Sequence, residues 1–150
     1  MVFLRKATLS DIDLLYEWAN DPVVRENSFS TEPISYDTHV EWFNRIMTDD
    51  SVALYIMMER NIPVGQIRLN IDGNEAEISY SISANFRGKG YGRKILQLIA
   101  DEVQRNFHHI KTLVAKVKPD NRSSRRLFES EGYDMKCVSY AMKINEGSTG

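Results

Sequence analysis

A mixed-sheet α/β fold is what this sequence predicts, and three observations carry the prediction. Strand-like and helix-like segments interleave in the order strand, two helices, three strands, then helix, strand, helix, strand. The turn Asp72-Gly73-Asn74 separates two segments of alternating polarity, which makes them the arms of a hairpin. A glycine-rich stretch, Arg87-Gly88-Lys89-Gly90-Tyr91-Gly92, stands between the last strand of that meander and a long helical segment.

The elements follow in chain order. Val2-Phe3-Leu4 opens the first strand, and Thr8 or Ser10 can cap a helix in which Ile12, Leu15, Tyr16 and Ala19 recur at helical spacing. Asn20-Asp21-Pro22 ends that helix. A second helix starts near Ser35, carries His39, Trp42, Phe43, Ile46 and Met47 on its apolar side, and ends near Thr48-Asp49-Asp50. Val52 to Met58 is apolar on both faces, as a central strand is. Ile67, Leu69 and Ile71 then alternate with Gln66, Arg68 and Asn70, and in the return arm Ala76, Ile78, Tyr80 and Ile82 point away from Glu75, Glu77, Ser79 and Ser81. Tyr91, Ile95, Leu98, Ile99 and Val103 share one face of the long helix. Leu113, Ala115 and Val117 mark a strand, Asn121 to Glu131 a helix, and Tyr133 to Ile144 terminal strand material.

The 150 residues, 42% hydrophobic and 27% charged, suit one domain over 1–144 with a flexible polar tail at 145–150. The lone cysteine, Cys137, cannot close an internal bridge, which fits a reducing compartment. No apolar run nears the ~18 residues of a membrane span and no signal-peptide pattern opens the chain, so a cytoplasmic protein away from membranes is expected. The net charge of -2 conceals a division. Residues 1–86 hold 6 Lys/Arg against 14 Asp/Glu, whereas residues 87–126 hold 11 against 3. Positive charge concentrated in the second segment favours a polyanion: nucleic acid, a membrane surface or a phosphorylated small molecule. Nucleic acid is the weakest of these, because neither an RNA-recognition signature nor a basic stripe with interleaved aromatics is present. His108 and His109 point to different faces of a helix end, so no metal site is expected.

The glycine stretch explains the charge. Glycines before a helix N-terminus let backbone N–H groups approach a ligand, and the helix end adds free donors and partial positive charge. Arg87, Lys89, Arg93 and Lys94 add full charges, which together describe a diphosphate cradle. A Walker A loop is excluded because Gly-Lys-Ser/Thr after a four-residue gap is missing; a dinucleotide fingerprint is excluded because Arg93 stands where its third glycine belongs. A tight strand-to-helix connection with no ligand has the same spacing.

These six residues match the Q/R-x-x-G-x-G/A signature of the GCN5-related N-acetyltransferases. Asn121-Arg122-Ser123-Ser124-Arg125-Arg126-Leu127-Phe128-Glu129-Ser130-Glu131-Gly132-Tyr133 resembles that family's second signature, N-x-x-S-x-x-L-(Y)-E-x-x-G-F/Y. The element order is also similar, so the resemblance covers almost the whole chain. It implies the family's acyl-CoA N-acyltransferase fold, a mixed, mostly antiparallel sheet flanked by about four helices, and acetyl-CoA as the bound molecule. It further implies that the backbone from Gly88 to Arg93 holds the diphosphate, with Arg87 and Tyr91 beside it. Backbone groups around Ile82, Ser83 and Ala84 would hold the pantetheine amides, and Asn121 and Ser124 the distal arm. For Asn121 and Ser124 an N-cap and a helix polar face are the competing roles.

Acetyl transfer to an amine needs the neutral amine, stabilisation of the oxyanion and a proton for the departing thiolate. Glu77 is the candidate base, against its alternative as exposed hairpin surface beside Glu75. The N–H of Ile82 or Ser83 would polarise the thioester carbonyl. Where many members carry a tyrosine that could protonate the thiolate, this chain has Phe128, a residue for packing against cofactor or core. Ser124, Tyr91, Tyr133, water or no acid at all are left for that role. The family places its acceptor between the early helices and the late strands. Here Trp18, Arg25, Phe29 and His39 fall in the pattern W-x-N-D-P-x-V-R, then S, then P-I-x-x-x-x-H-x-x-W-F, similar to the subgroup with nucleotide amino-sugar acetyltransferases of pseudaminic acid biosynthesis and ribosomal-protein N-terminal acetyltransferases. Aromatics with Arg25 and His39 could stack on a base or sugar and bind phosphate; Trp18 and Trp42 at helical spacing could equally be core. The resemblance therefore implies an acetyl-CoA-dependent N-acetyltransferase of a small amine, a nucleotide-linked amino sugar, acting as monomer or homodimer. Its rivals are a protein N-terminal acetyltransferase and a noncatalytic acyl-CoA-binding module.

Overall fold

The computed structural model describes residues 1–135 and residue 142. The terminal strand expected over 133–144, Cys137 and the tail at 145–150 lie almost wholly outside those residues. Strand β1 (Val2–Lys6) leads through a short 3-10 turn into α1 (Ile12–Ala19), followed by α2 (Pro22–Asn27) and α3 (Tyr36–Met47). The meander is β2 (Val52–Glu59), β3 (Ile62–Asp72) and β4 (Glu75–Ile82). After a second 3-10 turn come α4 (Tyr91–Asn106), β5 (Thr112–Val114) and α5 (Arg122–Ser130). The sheet order is β1-β2-β3-β4-β5, antiparallel except for the parallel β4–β5 pair, which is the mixed, mostly antiparallel sheet expected.

Two expectations need correction. Pro22 ends α1 but also begins α2: its fixed φ suits the first helical position, and the Asp21 carboxylate caps the helix from Val23 N at 2.9 Å and Val24 N at 3.3 Å. Three α-helices rather than two therefore precede the meander, and the described residues hold five in all. The strand marked by Leu113, Ala115 and Val117 stops at Val114, and its pairing with β4 covers Glu75 to Glu77 alone.

The sheet divides the molecule. One face buries Tyr55, Met57, Ile67, Leu69, Ala76 and Ile78 against Ile95, Leu96 and Ile99 of α4 and Phe128 of α5. The opposite face buries Leu54, Ile56 and Met58 of β2 against Leu15, Phe43 and Ile46 of α1 and α3. That second apolar cluster draws nothing from β3 or β4. The side chains that β3 and β4 present on this face, among them Gln66, Arg68, Asn70, Glu77, Ser79 and Ser81, are polar, as the register requires of residues alternating with the buried ones. Half of the face is thus core and half is a polar floor.

Candidate active site

A cavity of about 830 Å³ opens over that polar floor and runs around the end of β4 to the starts of α4 and α5. Its formation follows from strand lengths. β5 stops after pairing with Glu77, whereas β4 continues to Ile82. Ser83 N donates to Val64 O at 2.8 Å, which fixes the alternation: the N–H and C=O groups of odd-numbered residues face β3, and those of Ile78, Tyr80 and Ile82 face the vacated edge. An unpaired strand edge beside a cavity is a set of fixed donors and acceptors for an extended ligand.

This alternation separates the residues expected to bind pantetheine. Ile82 N–H faces the open edge; Ser83 N–H is spent on Val64, which corrects its expected role as a donor. Ala84 opens the 3-10 turn and, with Ser83, does not line the cavity. Ile82 O accepts from Arg87 Nε at 3.1 Å.

In the glycine turn, Gly88 (φ +74) and Gly90 (φ +85) occupy the left-handed region, and Gly90 is the N-cap of α4. A Cβ on either would meet no protein atom within 4 Å, so both border open space. Gly92 is constrained differently, since a Cβ there would stand 2.8 Å from Leu127 Cδ2 of α5. The backbone half of the cradle is therefore present. The charged half is not as expected. Arg87 Nη2 pairs with Asp21 Oδ1 at 2.9 Å, Arg93 Nε lies 3.5 Å from Glu131 Oε2, and Lys89 Nζ stands 5.7 Å from the centre of the Phe86 ring. Neither Lys89 nor Arg93 lines the cavity. Burial disfavours the Asp21 carboxylate, yet its bonds from Arg87 and the backbone outweigh that and hold it below its ordinary value.

At the start of α5, Asn121 Oδ1 accepts from Ser124 N at 3.3 Å, so Asn121 is the N-cap, as its competing role required. Ser124 Oγ lies 3.1 Å from Tyr80 Oη. Sequence reasoning passed over Tyr80 as a core position on a hairpin arm. Its ring does pack edge-on to Phe128 (5.8 Å, 76°), but its hydroxyl reaches the cavity wall. Burial pushes its phenol up, and the Ser124 bond opposes that. Phe128 is buried between Tyr80 and Tyr133, a packing role. Tyr91 donates its hydroxyl to Glu59 Oε1 at 3.2 Å, away from Ser124, which removes it from the candidates for thiolate acid.

On the acceptor side, Glu77 projects from β4 onto the polar floor, with Lys116 Nζ 3.5 Å from its Oε1. Trp18 and Trp42 both line the cavity while packing against the α1–α3 core. Phe29, 71% exposed, sits at the rim. The expectation for Arg25 needs correction. Its Nε donates to Ala19 O (2.7 Å), Nη1 to Ser30 O (3.1 Å) and Glu32 O (3.2 Å), and Nη2 to Ser28 Oγ (3.2 Å). Four of its five N–H groups thus hold the loop after α2, leaving little for a phosphate. His39, 2% exposed, bonds through Nε2 to Ile12 O (2.9 Å) and packs against Tyr16, Trp42 and Phe43; it is core rather than a ligand. Asn20 clasps Ile34 through both backbone groups, at 2.9 and 2.8 Å. The polar residues of the W-x-N-D-P-x-V-R pattern therefore hold α2 and the segment that follows it in place. Among the described residues no three His, Cys, Asp or Glu side chains gather as a metal site, and no helix is long and apolar enough to cross a membrane.

Comparison with known proteins agrees with this geometry. "Uncharacterized N-acetyltransferase YfmK" of Bacillus subtilis (strain 168) is 26% identical over 95 residues, 63% of each chain, so this chain spans under two thirds of that relative's length. The spermidine N-acetyltransferase of Vibrio cholerae, solved with CoA and spermine, superposes with a TM-score of 0.80 at 20% identity over 87% of this chain and 79% of that one. RimL, a ribosomal alpha-N-protein acetyltransferase solved with coenzyme A, gives 0.78 at 18% identity over 91% and 81%. The model of the acetyltransferase (GNAT) domain matches residues 2–134, and with that match the chain belongs to the GNAT acetyltransferase family.

Proposed function

We propose that this protein transfers an acetyl group from acetyl-CoA to the primary amine of a small acceptor, a nucleotide-linked amino sugar, as a single N-acetyltransferase domain over residues 1–144. The observation that carries the reading is one cavity shared by an open strand edge, a left-handed glycine turn at a helix start and a carboxylate on a polar floor. The residues fit coenzyme A: two glycines border space that a Cβ would fill, and the edge of β4 offers backbone groups to an extended amide chain. Ile82 N–H and its neighbours on that edge would hold the pantetheine, the Gly88–Gly92 backbone the diphosphate, and Ser124 the distal arm. When bound, the group supplies an activated acetyl thioester. A cytoplasmic setting suits the lone cysteine.

The chain's own work is proton handling and positioning. An alkyl ammonium has a pKa of roughly 10.4, so at neutral pH a base must hold the proton the amine gives up. Glu77 has the position for it, on the cavity floor with Lys116 Nζ 3.5 Å from its Oε1. The Ser124 and Tyr80 hydroxyls, 3.1 Å apart on the cavity wall with either able to donate to the other, are the donor pair for the departing thiolate. The test is Glu77→Gln, assayed by thiol release from acetyl-CoA. Turnover should fall ~100-fold or more, with the acid limb of the pH–rate profile lost and acetyl-CoA affinity held within about twofold. An unchanged pH–rate profile would remove Glu77 as the base.

A further inference from the structure

Arg68 sits on β3 in the middle of the polar floor, and nothing in the reaction just described uses it. Its guanidinium carbon lies over the Trp42 ring of α3, 5.4 Å from the centroid, and its Nε donates to Asn70 Oδ1 at 3.1 Å. Among the described residues, its two terminal nitrogens have no hydrogen bond or ion pair. No carboxylate of the floor bonds it, although the Glu77 charge acts on it from across the ladder. Glu77 stands diagonally across the β3–β4 ladder, Asn70 being opposite Glu77 and Ser79 opposite Arg68, and the Glu77 carboxylate pairs with Lys116 instead. The remaining charges on that side of the cavity, Glu41 and Arg45, are one turn apart on the exposed flank of α3 and offset one another. Burial pulls the Arg68 guanidinium below its ordinary value, and the nearby Glu77 charge offsets only part of that.

From this geometry we infer that Arg68, lying over Trp42 and tied at Nε to Asn70, binds an anionic group of the acceptor and makes this transferase selective for amines that carry a phosphate or carboxylate. A guanidinium bonded at Nε keeps its Nη edge, the pair of parallel donors that fits a phosphate or carboxylate. Diagonal neighbours on a ladder have Cα atoms roughly 7–8 Å apart, so the anion lies only a few bonds from the amine that Glu77 serves. An amine with no negative group leaves Arg68 facing the ligand unanswered, and a polycation adds repulsion. The inference rests on the acetyltransferase reading and names the chemistry of its acceptor.

The test compares matched pairs: glucosamine phosphate against methyl glucosaminide, and alanyl-glycine against alanyl-glycinamide, with spermine as the polycation. If the assignment holds, the anionic member of at least one pair has kcat/KM tenfold or more above its neutral twin, and the pair that shows it separates phosphate from carboxylate. Arg68→Gln should bring that ratio close to one by raising acceptor KM, with KM for acetyl-CoA unchanged. Equal kcat/KM within both pairs, or spermine as the best acceptor, overturns it. So does a ratio that survives in a folded Arg68→Gln protein. Because Arg68→Gln removes the contact with Trp42, Arg68→Lys is the companion variant and should retain part of the preference. Calorimetry of the same pairs on the wild-type protein separates the two claims. With no amine turned over at all, tighter binding of the anionic twin still supports the Arg68 site while the acetyltransferase reading fails, and equal binding overturns the site.

Discussion

At Gly90 the requirement is set by backbone and ligand together. Its φ of +85 is a conformation that costs an L-residue ~1–2 kcal/mol, and a side chain there would point into space that no protein atom fills. Gly90→Val should therefore weaken acetyl-CoA by about tenfold or more, equivalent to ~1.4 kcal/mol, when binding is followed by calorimetry. Retained affinity would contradict the cradle. Gly90 and Glu77 were legible as functional candidates, because glycine spacing and face alternation are properties of the chain. Tyr80 was not: alternation places it with the buried residues, and only the approach of α5 sets its hydroxyl 3.1 Å from Ser124. Tyr80→Phe removes that partner and leaves the ring. Turnover should fall by several-fold with KM for acetyl-CoA unchanged, and a matched loss in Ser124→Ala with no further loss in the double variant would show that the two hydroxyls act as one unit.

Among the elements, the turn from β1 into α1 depends on one ion pair. Arg5 binds Asp11 in a two-pronged contact, 2.8 Å at each nitrogen, and Thr8 N adds a third bond to the same carboxylate. The Arg5 bond, ahead of the Thr8 bonds and against burial, holds Asp11 below its ordinary 3.8. A depressed carboxylate contributes stability that is present above its unfolded value and lost as pH falls through its folded one. Acid unfolding should therefore steepen below pH 3.8, and Asp11→Asn should lower stability at pH 7 by ~1–3 kcal/mol while flattening that limb. A denaturant series across pH measures both. Most element boundaries were legible, as with Ser35 capping α3 and Asn121 capping α5, since caps are local. Helix α2 was not read, because Asn20-Asp21-Pro22 is both an end and a beginning, and the Pro22 that stops one helix suits the first turn of the next.

Across the whole molecule, the two halves of the proposed site are joined by the Arg87–Asp21 pair, which links the glycine turn to the cap of α2. Lys118 adds a second link, donating to Glu26 O at 2.9 Å and Ser28 O at 3.3 Å. Cofactor turn and the α2 segment should then respond together. Asp21→Asn is expected to raise KM for both substrates, whereas loss confined to one would show the halves to be independent. The sequence by itself determined the order of elements apart from α2, the glycine turn and the polar face of the hairpin, because periodicity, caps and backbone freedom are encoded over a few residues. It also divided the charge, basic after residue 86 and acidic before it. Only the tertiary structure decided what those charges do. Arg87, Arg93 and Arg25, all exposed to suspicion as phosphate ligands, are tied to Asp21, Glu131 and loop carbonyls, while Arg68, which reads as one polar residue of a strand, keeps its terminal donors. Whether a charged side chain is available depends on partners far along the chain, 66 positions for Arg87 and Asp21 and 92 for Lys118 and Glu26, and that distance closes only when the chain folds.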